Sequence, residues 1–262
     1  MPDFHRYVAL GDSFTEGVGD HDPALPNGVR GWADRVAAVL AAQTPNLTYA
    51  NLAIRGRKLR PILAEQIEPA LAMEPDLVSI YAGANDVLRP RVDIDALVAA
   101  YDDAVGRLVA GGAQVVLFTA YDPGKHPVFG ALRGRFATYN ELVREVAERH
   151  DTTLVDFWRL REYRDDRMWD TDRMHMAAPG HQRMAEVVLD ALEVPHDLQP
   201  LPLVDRPVLS DRERRQAHVA WAREHAGPWI KRRLTGTSSG DSLSARWPSP
   251  AQVADPALSA PP

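Results

Sequence analysis

Five short apolar runs, each followed by a helical pattern, limit the folds that this chain can adopt. The runs cover residues 7–10, 47–54, 77–82, 115–120 and 153–158. Helical patterns follow them at residues 32–42, 59–71, 93–109, 136–146 and 179–192. Strands that alternate with helices indicate an α/β fold, in which helices cover both faces of a mostly parallel sheet.

The composition changes at Pro195, which predicts a boundary there. Residues 1–194 carry the alternating pattern and form the expected α/β domain. Residues 195–234 begin with a proline-rich connection and continue with a capping box at Ser210–Glu213, so a helix is predicted up to about Ala226, before Gly227-Pro228. Trp221, Trp229 and Ile230 predict that this extension packs on the α/β domain. Residues 235–262 are rich in Ser, Gly, Pro and Ala and are predicted to be disordered.

Charge and composition exclude several classes of function. The formal net charge is −6, which disfavours nucleic acid as a partner, because phosphate binding needs clustered basic residues. The chain has no cysteine, so it has neither disulfides nor thiolate chemistry. No run reaches the roughly 20 apolar residues of a membrane-spanning helix. We therefore expect a cytoplasmic protein without stable membrane insertion; its oligomeric state is left open.

Polar residues follow three of the predicted strands, and a further pair lies in a later loop. Ser13 comes directly after the first run, Gly56 follows the second and Asn85 follows the third. Asp172 and His175 lie in the loop before the last helix of the α/β domain. Open α/β sheets bind ligands beyond the carboxyl ends of their strands, which favours a site here. An alternative for Ser13 alone is that it caps the following helix.

These residue types together predict nucleophilic catalysis by a serine. A serine nucleophile needs a base and a group that holds the base, and His175 and Asp172 can fill these two roles. Attack on an ester carbonyl also creates an oxyanion that needs hydrogen-bond donors. The backbone N–H groups of Ser13 and Gly56 and the side-chain amide of Asn85 could donate.

Four blocks of the chain resemble the hallmark blocks of the SGNH hydrolases, the GDSL esterase and lipase superfamily. The blocks are Gly11-Asp12-Ser13, Asn51 to Gly56, Gly83-Ala84-Asn85-Asp86 and Asp172 to His175, in this order over residues 5–192. The resemblance implies a flavodoxin-like three-layer α/β/α fold with five strands in the order 2-1-3-4-5. It implies the nucleophile Ser13, the base His175, the orienting acid Asp172 and an oxyanion hole of Ser13, Gly56 and Asn85. Neither a cofactor nor a metal is expected.

Other residues compete for the roles in this site. Asp170 is a rival of Asp172, and His126 is a rival base without a matched acid. His175 and His181 could be imagined as metal ligands, but no third ligand has a suitable spacing, so His181 is expected to pack in the last helix. The basic turn formed by Arg55, Arg57 and Lys58 could bind an anionic substrate, although three solvated charges are the favoured interpretation.

Several neighbours of the motif residues have predicted structural roles. Asp12 is expected to support the nucleophile turn through backbone hydrogen bonds, and Asp86 to cap a turn or anchor its loop. Glu16 is interpreted as an acid in the first turn of a helix. Tyr121, Asp122 and Phe129 either line a substrate pocket or lie on the surface.

The sequence thus predicts a serine esterase that acts on a small or medium acyl ester. Within enzymes, a carbohydrate deacetylase, a lysophospholipase or thioesterase, and an acyltransferase use the same acyl-serine and remain alternatives. A module that binds a small anion without catalysis is the alternative from another class, although binding alone needs no such set of residues.

Overall fold

The computed structural model describes residues 3–124, 129–205, 207 and 210–253. It forms one sheet whose strands run in the order β5-β4-β3-β1-β2-β6. The strands are β1 (Arg6–Gly11), β2 (Thr48–Asn51), β3 (Leu77–Tyr81), β4 (Gln114–Phe118), β5 (Thr153–Val155) and β6 (Trp247–Gln252). Strands β1 to β5 are parallel and follow the predicted order 2-1-3-4-5, which confirms the predicted fold class.

Helices cover both faces of the sheet. The α-helices of the described residues are α1 (Ser13–Glu16), α2 (Trp32–Gln43), α3 (Leu59–Ala72), α4 (Ala84–Val87), α5 (Ile94–Ala110), α6 (Arg133–Arg149), α7 (Ala178–Ala191), α8 (Asp211–Trp221) and α9 (Gly227–Thr235). Helices α2 and α7 pack in one core cluster, and α3, α5 and α6 pack in the other. Within β1, Tyr7 and Ala9 belong to the first cluster and Val8 and Leu10 to the second, as the alternation of a strand requires.

Two predicted strands are shorter by three or more residues in the structure than in the sequence analysis. The strand predicted over 47–54 ends at Asn51, whose side-chain oxygen accepts a hydrogen bond from the N–H of Ala53 at 3.1 Å and turns the chain. The strand predicted over 153–158 ends at Val155 and is followed by a 3₁₀ turn, Phe157–Arg159. Both apolar runs continue past the paired residues, because Leu52–Ile54 after β2 and Phe157 after β5 are buried.

A sixth strand corrects the prediction of a five-stranded sheet with a disordered tail. Strand β6 pairs antiparallel with β2, and Thr48 lies opposite Gln252. The strand lies within residues 235–262, which were predicted to be disordered. Its two prolines suit an edge, where one side of a strand donates no ladder hydrogen bonds. The part of that prediction that concerns residues 254–262 lies outside the described residues.

The helix predicted to end near Ala226 continues instead through Gly227-Pro228. Helix α8 begins with the predicted capping box, in which Ser210 and Glu213 bond each other's backbone. A wider π turn, Ala222–Ala226, then joins α8 to α9, and the N–H of Gly227 bonds the carbonyl of Ala222. Pro228 stands in the first turn of α9, where its missing N–H costs little.

Within the part of the chain that the structure describes, we find no helix with both the length and the apolar character needed to traverse a bilayer.

Candidate active site

Ser13 is the first residue of a one-turn helix at the carboxyl end of β1. The cap of this helix is Asp12, whose side chain accepts a hydrogen bond from the N–H of Phe14 at 3.1 Å. The alternative that Ser13 serves as the cap is therefore wrong, and the predicted support of the turn by Asp12 is confirmed. Gln66 fixes Gly11, the residue before Asp12. The side-chain amide of Gln66 donates to the carbonyl of Gly11 and accepts from its N–H.

An aromatic cluster holds the helix that carries Ser13. The ring of Phe14 lies 4.4 Å from that of Tyr81 and between 5.3 and 5.7 Å from those of Phe118, Trp32 and Phe157, measured between centroids. Such tilted and edge contacts are favourable beyond the burial of the rings. The residue after the serine thus anchors the turn in the core.

His175 is paired with Asp172 and not with Asp170. Nδ1 of His175 lies 2.5 Å from Oδ2 of Asp172, and the N–H groups of His175 and Met174 bond Oδ1 at 3.0 and 2.8 Å. Burial opposes ionisation of Asp172, but these hydrogen bonds and the histidine prevail and lower the pKa of Asp172 to about 2. Asp170 contacts His21 and Thr171 instead. The pair therefore holds an ionised carboxylate against the imidazole.

Asn85 lies in the short helix α4 after strand β3. Its amide donates to Oδ2 of Asp12 at 2.9 Å and to the carbonyl oxygen of Arg57 at 3.1 Å. Burial raises the pKa of Asp12 to about 7, although the hydrogen bond from Phe14 lowers it. Asn85 therefore connects the turn that carries Ser13 with the turn that follows β2. The neighbouring Asp86 accepts from the N–H of Leu59 at 2.8 Å and so anchors α4 to the start of α3, as predicted.

Gly56 lies in the turn after β2 with φ of +76°, a conformation that favours glycine. The preceding Arg55 is held by Glu16, which accepts from its backbone N–H at 2.6 Å and from its guanidinium at 2.7 Å. Glu16 is fully buried in this ion pair, and it lies in the single turn of α1, so its interpretation as a first-turn acid is confirmed. Arg57 pairs with Glu65 and Asp241. Two of the three charges in the basic turn are thus bound within the protein, and only Lys58 lines the cavity described next.

The predicted catalytic and oxyanion residues surround one cavity of about 690 Å³. Its lining includes Asp12, Ser13, Gly56, Asn85, Asp172 and His175. Eight aromatic residues share the lining: Phe14, Tyr81, Tyr121, Phe129, Phe136, Phe157, Trp169 and Trp221. The volume suits a ligand of small or medium size. No hydrogen bond joins Ser13 to His175 among the described residues; such bonds are often long without substrate.

Of the three residues predicted either to line a pocket or to lie on the surface, two line the cavity and one does not. Tyr121 and Phe129 line the cavity, whereas Asp122 is buried beneath Arg133, Arg161 and Arg164 and its pKa is lowered to about 2, chiefly by Arg133. The rival base His126 lies outside the described residues.

Sequence reasoning missed the wall of the cavity that the C-terminal region supplies. Trp221 of α8 donates from Nε1 to the carbonyl oxygen of Asp172 at 2.9 Å, and the guanidinium of Arg173 lies over its ring. His218, Arg232 and Ser238 line the cavity as well. Trp221 could have indicated this wall, because a large apolar ring in a mostly polar helix is expected to pack against another surface of the protein.

His181 packs at the start of α7, as predicted, and its ring is fully buried. Nδ1 accepts from the N–H of Trp32 and Nε2 donates to the carbonyl of Val18, both at 3.2 Å. Burial lowers the pKa of His181 to about 4. Both nitrogens serve the backbone of the loops beside Ser13, so the neutral ring is the form that the fold requires.

We expect the protonation of His181 to weaken the fold as the pH falls. An unfolded histidine titrates near 6.5, so its stabilising effect is complete above pH 6.5 and is lost progressively down to about pH 4. The loss should be about 3 kcal/mol of unfolding free energy at pH 4. Urea unfolding at pH 7 and pH 4 of the natural chain, His181→Gln and the exposed control His5→Gln measures it. Equal losses in the natural chain and His181→Gln would contradict the assignment.

Comparisons with known proteins found one matching family model and several similar solved structures. The model of the GDSL-like lipase/acylhydrolase family matches residues 9–183. Among solved structures, LAE5, an alpha/beta hydrolase enzyme from the metagenome of Lake Arreo, Spain, is 28% identical; the match covers 72% of this chain and 95% of that one, with a TM-score of 0.60. Axe2, an acetylxylan esterase from Geobacillus stearothermophilus, is 23% identical over 73% and 95% of the two chains, with a TM-score of 0.59. TesA is 24% identical over 72% and 98%, with a TM-score of 0.60. No curated protein gave a match.

Proposed function

The chain belongs to the GDSL-like lipase/acylhydrolase family of ester-hydrolysing enzymes, and we propose that it hydrolyses a small or medium acyl ester through an acyl-serine on Ser13. The observation that carries this proposal is the close pair of Asp172 and His175 on the same cavity as Ser13. The ionised carboxylate of Asp172 holds Nδ1–H of His175 and leaves Nε2 free to accept a proton. The aromatic lining offers an apolar surface for an acyl chain or an alcohol.

The first half of the proposed reaction forms the acyl-serine. Oγ of Ser13 attacks the carbonyl carbon of the ester, and its proton passes to Nε2 of His175. The carbonyl oxygen becomes an oxyanion that accepts hydrogen bonds from the N–H groups of Ser13 and Gly56 and from the amide of Asn85. The bond from carbon to the alcohol oxygen then breaks, and His175 gives its proton to the departing oxygen.

The second half regenerates the enzyme with water. His175 takes a proton from a water molecule, whose oxygen attacks the acyl carbon. The same donors hold the second oxyanion. The ester bond to Ser13 breaks, its Oγ recovers the proton from His175, and a carboxylic acid leaves. All of these steps use side chains and backbone groups of this chain together with water.

Asn85 needs an exchange of hydrogen bonds to serve an oxyanion. Both of its N–H groups have partners in the structure, and the bond to the Arg57 carbonyl is the longer, at 3.1 Å against 2.9 Å to Asp12. We propose that the oxyanion takes or shares this longer bond, while Asp12 keeps the amide oriented.

Asn85→Ala should lower kcat by about 10²–10³-fold, the usual effect of losing one oxyanion donor. KM should change little, because the donor acts mainly on the charge that develops in the transition state. Steady-state kinetics on a short-chain ester, with melting curves as the control for folding, give the answer. Full kcat in the variant would show that Asn85 has no role in the oxyanion hole.

Labelling with a fluorophosphonate, followed by mass mapping of the adduct, tests the proposed function directly. An adduct on Ser13 that is abolished in His175→Ala and kept in Ser239→Ala would establish an activated serine, since Ser239 lines the same cavity. Absence of the adduct on the folded protein would favour a binding module instead. A panel of esters with different acyl chains and acceptor alcohols would then define the substrate and distinguish hydrolysis from acyl transfer.

A further inference from the structure

A short segment of the C-terminal region, Ser238–Asp241, lies against the turn that carries Gly56. Oγ of Ser238 donates to the carbonyl oxygen of Arg55 at 3.1 Å. On the other side of the turn, Nη1 of Arg57 donates to Oδ1 of Asp241 at 3.2 Å. The segment thus holds residues on both sides of Gly56, and it lies beyond the residues that the family model matches.

The hydrogen bond from Ser238 acts on the peptide group that contains the N–H of Gly56. The carbonyl of Arg55 and the N–H of Gly56 belong to one planar unit, and in a trans peptide they point in opposite directions. A donor that fixes the carbonyl therefore fixes the direction of the N–H. No cis peptide bond occurs in the described residues. Glu16 holds the preceding N–H of Arg55 at 2.6 Å, so the turn is fixed from two sides.

The hydroxyl of Ser238 is itself oriented. It accepts a hydrogen bond from the N–H of Gly240 at 3.2 Å, and the N–H of Ser238 donates to Oδ2 of Asp241 at 2.7 Å. With a donor already on its oxygen, the hydroxyl directs its single proton to the carbonyl of Arg55. A hydrogen bond to that carbonyl also polarises the peptide and makes the N–H of Gly56 a stronger donor.

Ser238 lies in close contact with Gly56. A Cβ on Gly56 would collide with Oγ of Ser238, so the serine occupies the position that a larger residue would need. Ser238 is partly exposed on the cavity wall, and Gly240 behind it is buried against Arg55 and Ile54. The segment is therefore packed on the turn and is not merely adjacent to it.

We propose that Ser238 is a positioning residue, which aims the N–H of Gly56 at the oxyanion by holding the carbonyl of Arg55. The inference rests on the proposed function, because it takes Gly56 as an oxyanion donor. It assigns to the C-terminal region a part in the chemistry of a site whose motifs all lie before residue 192. The region then completes the oxyanion hole in addition to covering the cavity.

Steady-state kinetics of Ser238→Ala test the proposal. We expect kcat to fall by about tenfold, the effect of one lost hydrogen bond, with little change in KM or in the melting temperature. Ser238→Thr keeps the hydroxyl and should recover most of the loss. Ser239→Ala is the matched control: its side chain lines the same cavity, and no hydrogen bond involving it was found within the described residues.

The outcomes separate this inference from the function on which it rests. Unchanged kcat in Ser238→Ala, or equal losses in Ser238→Ala and Ser239→Ala, would overturn the positioning role while leaving the esterase intact. A rise in KM with unchanged kcat would mean that Ser238 contacts the substrate and not the turn, and this result would also overturn the positioning role. Ser13→Ala in the same assay reports on the proposed function, because full activity of that variant would refute the acyl-serine whatever Ser238 does. If Ser238→Ala melts at a much lower temperature than the natural chain, two other variants decide. The positioning role then requires that Ser238→Thr keeps most of the kcat of the natural chain and that Asp241→Asn has a lower kcat.

Discussion

Ser13→Ala and His175→Ala are each expected to lower kcat by on the order of 10⁴–10⁶-fold, the range found for serine triads. Without the hydroxyl of Ser13 no acyl-enzyme forms. Without the imidazole the hydroxyl keeps its proton, because His175 is the base in the proposed reaction. The residual rate should come from the oxyanion donors and from substrate binding alone.

The double variant makes this expectation specific to a nucleophile and its base. Residues that act as a unit lose their effect together, so Ser13→Ala/His175→Ala should be no slower than either single variant. Kinetics on a short-chain ester, at equal concentrations of folded protein, give the three values. His218→Ala is a suitable control, because His218 lines the same cavity from α8 and has no role in the proposed chemistry. Additive losses in the double variant would mean that Ser13 and His175 act independently, contrary to the proposed triad.

Arg246→Ala is expected to lower the free energy of unfolding by about 3–5 kcal/mol, because it leaves a buried carboxylate without its partner. Nη1 of Arg246 lies 2.6 Å from Oδ2 of Asp34, and the two side chains are 0% and 1% exposed. Burial raises the pKa of Asp34, and Arg246 counteracts this effect. Arg246 also donates to the carbonyl oxygens of Glu16, Arg30 and Pro26 at 3.0 to 3.1 Å, which would lose a donor as well.

Urea unfolding of a small set of variants would isolate this ion pair. Arg214→Ala removes the exposed pair with Asp211 and should cost less than about 1 kcal/mol. Adding Asp34→Asn to Arg246→Ala should recover part of the loss, because the neutral amide removes the uncompensated charge. A loss below about 1 kcal/mol in Arg246→Ala would show that the pair does not anchor the C-terminal region.

The five parallel strands were predictable because each is a local apolar run followed by its own helix. The candidate site was predictable for a similar reason: Asp172 and His175 are three residues apart, and Ser13, Gly56 and Asn85 each follow a strand. Each of these signals is contained in a few consecutive residues. The order of the strands came with the resemblance to a known family and not from the runs themselves.

Strand β6 was not predictable because its pairing is non-local and its composition is unusual for a strand. Its sequence, Trp-Pro-Ser-Pro-Ala-Gln, contains two residues that disfavour central strands, and only the partner β2 makes it a strand. The ion pair of Glu16 was not predictable for a related reason. Its partner Arg55 lies 39 residues later in the chain, so the residues around Glu16 indicate only its place in the first turn of a helix.

The pairing of β6 with β2 has a consequence for the order of events during synthesis. Roughly 200 residues separate the two strands, so at roughly 5–20 residues per second β2 precedes its partner by about 10–40 s. During that interval the outer edge of β2 presents unpaired N–H and C=O groups, a template for pairing with other chains. The same interval leaves the Gly56 turn without Ser238. Under the proposed roles, a growing chain therefore has its nucleophile early and the last support of its oxyanion hole late, and it reaches its full kcat only after the C-terminal region has packed.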